Sequence, residues 1–328
     1  KKKAAPKKAA SKTAAKKKAA PKKAAAKKKA AGKAPAAAAD EEEAPVRERK
    51  PIAKMPARKK GVIRLAAGIE ADAAFMLYAL AHEKIDLGDR VYELVHKDQT
   101  ELDKIAGDAQ FDVVSFSLGR YPDIDDRYMF LPCGGSFGDH RGPILVARSP
   151  IRANEVDGLA VAAPGNYSSA AIALRLWLPQ ARFEIMPMSP RAVSLVVRAN
   201  QARSGLLVTE DQFAYKQHAL IPVVDLGQWW GEETEGLPLP LTLCGIRRDI
   251  PEEERAAIAL DLKRSIAYAL GHREEALGFA AEFARKATPE QVDRFVDRYV
   301  NDLSLDCGER GRQAIQLMFD RAQRIGMY

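Results

Sequence analysis

The sequence predicts a two-lobed α/β body that follows a disordered basic tail. Charge is split between the two parts: residues 1–60 hold 22 Lys+Arg against 5 Asp+Glu, whereas residues 61–328 hold 30 against 39. Residues 1–39 contain only Ala, Lys, Pro, Gly, Ser and Thr. From residue 61 onward, short apolar runs alternate with segments of helical apolar spacing, which is the pattern of an α/β fold. The tail and the body therefore need separate explanations.

Residues 1–60 are predicted to be a disordered tail and linker. They contain no aromatic residue, and alanine buries too little surface to offset the entropy of ordering the chain, roughly 1–2 kcal/mol per residue. Repulsion between the lysine blocks opposes a long helix, and so do Pro6, Pro21 and Pro35. Residues 44–60 contain three further prolines and are predicted to be the linker.

Residues 1–39 resemble in composition the Lys/Ala/Pro tails of histone H1 and of bacterial H1-like proteins. Such a tail would bind nucleic acid without sequence preference, because each lysine that neutralises a phosphate releases a counterion. Two alternatives stay open at this point: a solubilising spacer, and a segment that binds an anionic membrane surface.

Cysteine usage and hydropathy predict a cytoplasmic protein without a membrane partner. Cys133, Cys244 and Cys307 are odd in number and far apart, which fits a reduced compartment and argues against a disulfide framework. Neither a signal peptide nor an apolar run of about 18 residues is visible. Metal-type spacings and nucleotide fingerprints are missing too, so we expect no metal and no cofactor.

The body is predicted to consist of two successive strand–helix series. The first has strands at 62–66, 91–95, 111–116, 128–132 and 143–147, and helices at 71–82 and 100–106. The second has strands at 159–163, 183–186, 205–208 and 220–226, and helices at 168–178 and 190–199. A strand at 241–246 returns to the first lobe, and helices follow at 252–270, 274–285, 289–301 and 310–324. This alternation predicts parallel sheets.

Two α/β lobes joined by crossing strands and followed by C-terminal helices are the layout of a type II periplasmic-binding-protein-like fold. Lobe 1 is predicted to comprise about residues 61–150 and 245–328, and lobe 2 about residues 151–244. In such open sheets a ligand lies at the carboxyl ends of the strands, here in the cleft between the lobes.

Two loops are candidate binding elements. Residues 133–143 contain Gly134, Gly135 and Gly138, which allow backbone N–H groups to approach an anion, although an ordinary tight connection is equally consistent. In the second lobe, Pro164-Gly165 precedes Ser168 and Ser169, which open a helix. The positive end of that helix fits a small carboxylate, and simple capping by one serine is the alternative.

Several short motifs follow one another along the body. They are Gly134-Gly135 with Gly138 and Gly142-Pro143; Pro164-Gly165 with Ser168-Ser169-Ala170; Glu210 with Phe213 and Tyr215; Val224-Asp225-Leu226-Gly227 with Trp229-Trp230; Leu237–Leu241; Tyr299-Val300-Asn301; and Ser304–Glu309. Through these motifs, residues 61–325 resemble the 1,4-dihydroxy-6-naphthoate synthase family, menaquinone-biosynthesis enzymes of the futalosine route. The tail lies outside the resemblance.

The resemblance implies a carbon–carbon lyase that converts cyclic dehypoxanthinyl futalosine to 1,4-dihydroxy-6-naphthoate. It implies that substrate is bound by Ser168 and Ser169 and by the strand segment Val113-Val114-Ser115. It also implies a proton-accepting histidine at the position that Thr209 occupies here.

Three departures from the family pattern put the activity in question. Thr209 cannot act as a general base near neutral pH, Val113 replaces a lysine, and residues 68–74 replace a polar Ser-Pro-Cys-Pro-Asn-Asp-Thr loop. His140 in the Gly-rich loop is the first candidate for a substitute base, and His218 is the second. For either residue, a surface histidine without a catalytic role is the more common situation. The alternative function is therefore a catalytically degenerate protein that binds a small carboxylate and is tethered to nucleic acid by its tail.

Overall fold

The computed structural model describes residues 55–59, 61–284 and 287–328. The predicted disordered tail thus lies outside the described residues except for its last few positions. Those positions contact the body: Met55 packs against the core, and the Pro56 carbonyl accepts a hydrogen bond from Arg247 Nη2. Arg58 pairs with the carboxylates of Asp112 and Glu254. Residues 55–59 thus contact the body, although the sequence analysis assigns them to the tail and linker.

The strands and helices of the described residues follow the predicted series closely. The strands are β1 Val62–Gly68, β2 Val91–Lys97, β3 Val113–Ser117, β4 Tyr128–Phe130, β5 Ser136–Gly138, β6 Ile144–Ala147, β7 Ala160–Ala163, β8 Glu184–Pro187, β9 Ser204–Leu207, β10 Ile221–Asp225 and β11 Leu239–Arg247. The helices are α1 Ala71–Ala81, α2 Gln99–Ile105, α3 Ser169–Trp177, α4 Val193–Arg198, α5 Leu226–Glu233, α6 Glu252–Gly271, α7 Arg273–Phe283, α8 Pro289–Tyr299, α9 Asp302–Leu305 and α10 Gly308–Arg324.

The first sheet has the order β2-β1-β3-β11-β4, with β5 also paired to β11. Strands β1, β2 and β3 are parallel, whereas β11 runs antiparallel to β3, β4 and β5. The second sheet has the order β10-β6-β9-β7-β8. Its β7, β8 and β9 are parallel, and β6 runs antiparallel to both of its neighbours, β9 and β10.

The topology differs from the sequence predictions in three respects. The sheets are mixed rather than parallel, because the strands that pass between them enter from the opposite direction. Strand β6 hydrogen-bonds to β9 and β10, so the chain has already joined the second sheet at Ile144, although the sequence placed residues up to 150 in the first lobe. The return is also earlier than predicted, since β11 is in the first sheet from Leu239.

Local sequence signals explain why several helices begin where they do. The Thr288 hydroxyl accepts a hydrogen bond from Gln291 N, and Gln291 Oε1 accepts one from Thr288 N. Pro289 occupies the first turn of α8. Asp225 caps α5, a helix that the sequence analysis missed, by accepting hydrogen bonds from Gly227 N and Gln228 N. These caps determine where α5 and α8 begin.

Candidate functional site

A cleft lies where the carboxyl ends of parallel strands from both sheets meet. On one side it is lined by the end of β1 from Leu65 to Gly68 and by Ser115 and Ser117 of β3. On the other side it is lined by residues that come shortly after β7, β8 and β9, including Pro164, Pro190 and Val208. This is the edge of an α/β sheet at which ligands bind.

The N-terminus of α3 faces the cleft through Ser168, Ser169 and Ala170. The first hydrogen bond of the helix joins Ile172 N to Ser168 O, so the N–H groups before Ile172 have no partner within the helix. Together with the positive end of the helix dipole, they offer donors to an anionic group.

The two serines at this helix end have different surroundings. The Ser169 hydroxyl accepts a hydrogen bond from Leu118 N at 3.0 Å and donates one to the Leu241 carbonyl. It therefore connects α3 to the first sheet. Ser168 is 7% exposed, and within the described ranges its hydroxyl has no side-chain hydrogen bond that would occupy it. Of the pair, Ser168 is the one whose hydroxyl is free for a ligand.

Three carboxyl groups in and beside the cleft are held by protein hydrogen bonds. Asp72 accepts from Ser136 Oγ at 2.5 Å, and Asp103 accepts from Ser117 N at 2.7 Å and from Gln99. Glu210 accepts from Ala71 N at 3.1 Å. Burial raises the pKa of all three carboxyls above their ordinary values.

Glu70 is the fourth carboxyl group of this region and differs from the others. It lines the cleft at the cap position of α1 but makes no capping hydrogen bond. Burial, followed by the charges of neighbouring carboxylates, raises the pKa of Glu70 to about 8. The described part of the cleft lining contains no Lys, Arg or His, so the helix end of α3 is its main positive element.

The site residues predicted from sequence are placed in two groups. Ser115, Ser168, Ser169 and Gly134 line the cleft. Val113 and Val114 are fully buried in β3, and Gly135 and Gly138 are buried beside β11. These four residues are not among those that line the cleft.

Gly134 has a φ of +78°, which explains the glycine at this turn. Thr209 is buried directly after the cleft residue Val208.

The two candidate substitute bases do not line the cleft. His140 has a side chain that is 55% exposed, and its ring packs against Gly231 of α5. His218 follows the 3-10 turn at Glu210–Phe213 and is partly exposed. Trp230 is fully buried in the core and Trp229 partly so, and neither lines the cleft.

Sequence reasoning missed Glu70, Asp72 and Asp103 as cleft residues. A signal exists for the first two, because residues 68–74, at the end of β1, differ from the polar loop of the family. Asp103 gave no signal, since an acidic residue inside a short helix is common on exposed surfaces.

A search of the described residues finds no group of three or more His, Cys, Asp or Glu side chains placed to hold a metal ion. The described helices include none with the length and apolarity required to cross a membrane. Cys133, Cys244 and Cys307 are all buried and unpaired.

Comparison with known proteins relates this fold and cleft to one family. The profile of the menaquinone biosynthesis family matches residues 63–324. A curated protein of Thermus thermophilus named 1,4-dihydroxy-6-naphthoate synthase is 36% identical over 259 residues, covering 77% of this chain and 91% of that protein. Its counterpart in Streptomyces coelicolor, of the same name, is 29% identical over 257 residues, covering 77% of this chain and 90% of that protein.

Solved structures of other proteins share this fold. The crystal structure of a protein from Archaeoglobus fulgidus has a TM-score of 0.77 at 34% identity, covering 83% of this chain and all of that chain. The alkanesulfonate-binding protein of Xanthomonas axonopodis pv. citri, determined with MOPS bound, has a TM-score of 0.61 at 12% identity, covering 82% and 95% of the two chains. The latter confirms the periplasmic-binding-protein-like fold. From residue 63 to residue 324, this chain belongs to the menaquinone biosynthesis family.

Proposed function

We propose that the body is a carbon–carbon lyase that forms 1,4-dihydroxy-6-naphthoate from cyclic dehypoxanthinyl futalosine. The observation that carries the proposal is the cleft at the N-terminus of α3, in a chain that aligns with 91% of a relative bearing the synthase name. The substrate class contains a carboxylate. The N–H groups of Ser169, Ala170 and Ala171, which have no partner within the helix, are suited to hold it. The proposed location is the cytoplasm.

Within this proposal, Ser168 and Ser115 contact the substrate. The Ser169 hydroxyl instead holds the start of α3 in place through its hydrogen bonds to Leu118 N and Leu241 O. Val113 and Val114 act as buried strand residues that position Ser115, because their side chains are fully buried. The Gly134 backbone contributes to the wall of the cleft. Thr209 lacks a titratable group, so the proton acceptor has to come from another residue.

The two serines provide a test of this assignment. Ser168→Ala is expected to raise KM about fivefold, equivalent to the loss of one hydrogen bond worth about 1 kcal/mol, with unchanged unfolding. Ser169→Ala is expected to lower the free energy of unfolding by about 1–3 kcal/mol, because it leaves Leu118 N and Leu241 O unpaired. Steady-state kinetics with cyclic dehypoxanthinyl futalosine and urea unfolding measure both effects, and equal effects of the two variants on KM would remove the distinction.

The same assay separates the lyase from the binding-protein alternative. Turnover by the unaltered protein supports the lyase. A protein that shows no turnover, either unaltered or as Thr209→His, yet is stabilised against heat by aromatic or hydroxy acids, would instead be the catalytically degenerate binding protein.

A second candidate function belongs to the basic segment, and the uneven charge distribution favours it. Residues 1–60 hold 22 Lys+Arg against 5 Asp+Glu, whereas the remainder is acidic. We propose that residues 1–39 bind nucleic acid without sequence preference, through phosphate neutralisation.

The full chain is expected to retard any DNA duplex in low salt, and a fragment of residues 55–328 is expected to retard none, since its acidic surface opposes a polyanion. Retardation should disappear at several hundred millimolar salt, where the Debye length is about 3–5 Å. Gel-shift titrations across salt concentrations measure this. Binding by the fragment, or salt-resistant binding by the full chain, would contradict the proposal, and no binding at all would leave the segment a spacer.

A further inference from the structure

A lyase of this class needs a group in the cleft that accepts a proton from the substrate. The titratable residues that line the cleft are few: Glu70, Asp72, Asp103, Cys244 and Tyr299. Burial raises the pKa of Cys244 and of Tyr299 well above neutrality, and the Tyr299 hydroxyl is engaged with Gln212 Oε1 at 2.8 Å. Neither is suited to accept a proton at neutral pH.

Hydrogen bonding separates the three carboxyl groups. Asp72 is held by Ser136, and Asp103 by the backbone of Ser117 and by Gln99. Each of these two carboxylates already accepts hydrogen bonds from protein donors, which is typical of a structural role. Among the described residues, no other residue donates a hydrogen bond to the Glu70 carboxylate, and its Oε2 lies against Gly68 at the carboxyl end of β1. Among the three carboxylates that line the cleft, Glu70 is therefore the one that is available to interact with a ligand.

The position of Glu70 is fixed by contacts across the cleft. The Ala71 N–H, which follows Glu70, donates to Glu210 Oε1 at 3.1 Å. The Ile69 carbonyl, which precedes it, accepts from Arg191 Nη2 at 2.8 Å. Both partners belong to the second sheet's side of the cleft, and Glu210 is the residue after Thr209. The backbone on either side of Glu70 is thus tied to the lobe opposite its own strand.

We propose that Glu70 is the proton acceptor of this cleft. The assignment rests on the lyase function proposed above. The carboxylate takes a proton from the bound substrate and becomes the neutral acid, while the electron pair of the broken bond stays on the substrate. That pair forms a new double bond on the substrate as the adjacent carbon–carbon bond breaks. The fragment that leaves with the electrons of the carbon–carbon bond then takes the proton back from the Glu70 acid. No oxidant or reductant is needed.

The surroundings of Glu70 suit this role. The charged and titratable groups that face it from neighbouring elements are Asp72, Asp98, Glu210, Arg191 and His96. Burial, followed by the charges of the three carboxylates, raises the Glu70 pKa to about 8. A carboxylate with a pKa close to the working pH is a stronger base than an ordinary glutamate and is still partly ionised.

The test compares the full-length protein with Glu70→Gln and Glu70→Asp, and with Glu253→Gln, an exposed carboxylate at the start of α6, as the control. Because the acceptor has to be deprotonated, kcat of the unaltered protein should rise with pH and level off above about 8. Glu70→Gln should lower kcat at least 100-fold with KM within threefold of the unaltered value, and the rise with pH should vanish. Glu70→Asp should recover part of kcat, and Glu253→Gln should change nothing.

The outcomes distinguish this assignment from the function on which it depends. An unaltered protein without turnover would overturn the lyase function, and the role of Glu70 with it. An active protein whose Glu70→Gln variant keeps both kcat and the pH profile would overturn Glu70 alone. Thermal unfolding and calorimetric binding of 1,4-dihydroxy-6-naphthoate complete the test: a variant that loses kcat because it is misfolded or cannot bind product would also count against a role in proton transfer.

Discussion

Trp230→Ala is expected to lower the free energy of unfolding by about 3–5 kcal/mol, the cost of removing a large buried aromatic side chain. Trp230 is fully buried in the largest hydrophobic cluster, and its Nε1 donates to the Pro238 carbonyl at 3.0 Å. The variant would leave a cavity and an unpaired carbonyl group. Urea unfolding followed by circular dichroism measures the effect without depending on tryptophan fluorescence.

Trp229→Ala is the matched control for this change. Trp229 is the preceding residue on α5, contacts Trp230 edge to face and is only partly buried. Its loss should cost about 1 kcal/mol or less. Neither tryptophan lines the cleft, so ligand binding by both folded variants should be unchanged. A larger stability loss for Trp229→Ala than for Trp230→Ala would contradict the conclusion that Trp230 is the more deeply buried of the two side chains.

Gly227→Ala is the second substitution with a large expected effect. A Cβ at this position would lie 2.2 Å from Arg141 C and 2.5 Å from Gly142 N, so one of two backbone segments has to move. Both are fixed, because Leu226 N donates to Pro143 O at 2.9 Å and Arg298 donates to Gly142 O at 3.0 Å. We expect a loss of about 3 kcal/mol in the free energy of unfolding, the upper end of ordinary overpacking.

Gly278→Ala provides the opposite expectation for the same chemical change. Gly278 lies inside α7, and a Cβ there meets no atom within 4 Å. Alanine should raise stability by up to about 1 kcal/mol through helix propensity. Chemical denaturation of both variants gives the comparison, and destabilisation of similar size at the two positions would mean that the close approach of Gly227 to Arg141 is not the cause.

The regular elements of the body were predictable because their signals are local. Apolar runs marked β1, β3 and β7, and the serines before an apolar helical pattern marked the start of α3. Strand β5 was missed because its three residues lie within a glycine-rich stretch and pair with β11, about a hundred residues further along the chain. The mixed direction of the sheets likewise depends on which strands cross, and hydrophobic periodicity carries no information about direction.

The site was predictable in position but not in chemistry. Ser168 and Ser169 are adjacent in sequence and similar in type, yet one hydroxyl is occupied by Leu118 N and Leu241 O, which are 51 and 72 residues away. The raised pKa of Glu70 has the same origin, because the charges that cause it come from separate segments of the chain. Such properties follow from tertiary proximity, so a single sequence cannot reveal them.

The contacts of residues 55–59 have a practical consequence for experiments on a solid support. These residues meet Asp112 and Glu254 beside the amino end of β1, whereas the cleft is formed at its carboxyl end. A strand of seven residues separates the two by about 20 Å. A protein immobilised through a linker that ends at Met55 therefore presents the cleft away from its attachment point, so that ligand association can be followed on a sensor surface without blocking the site.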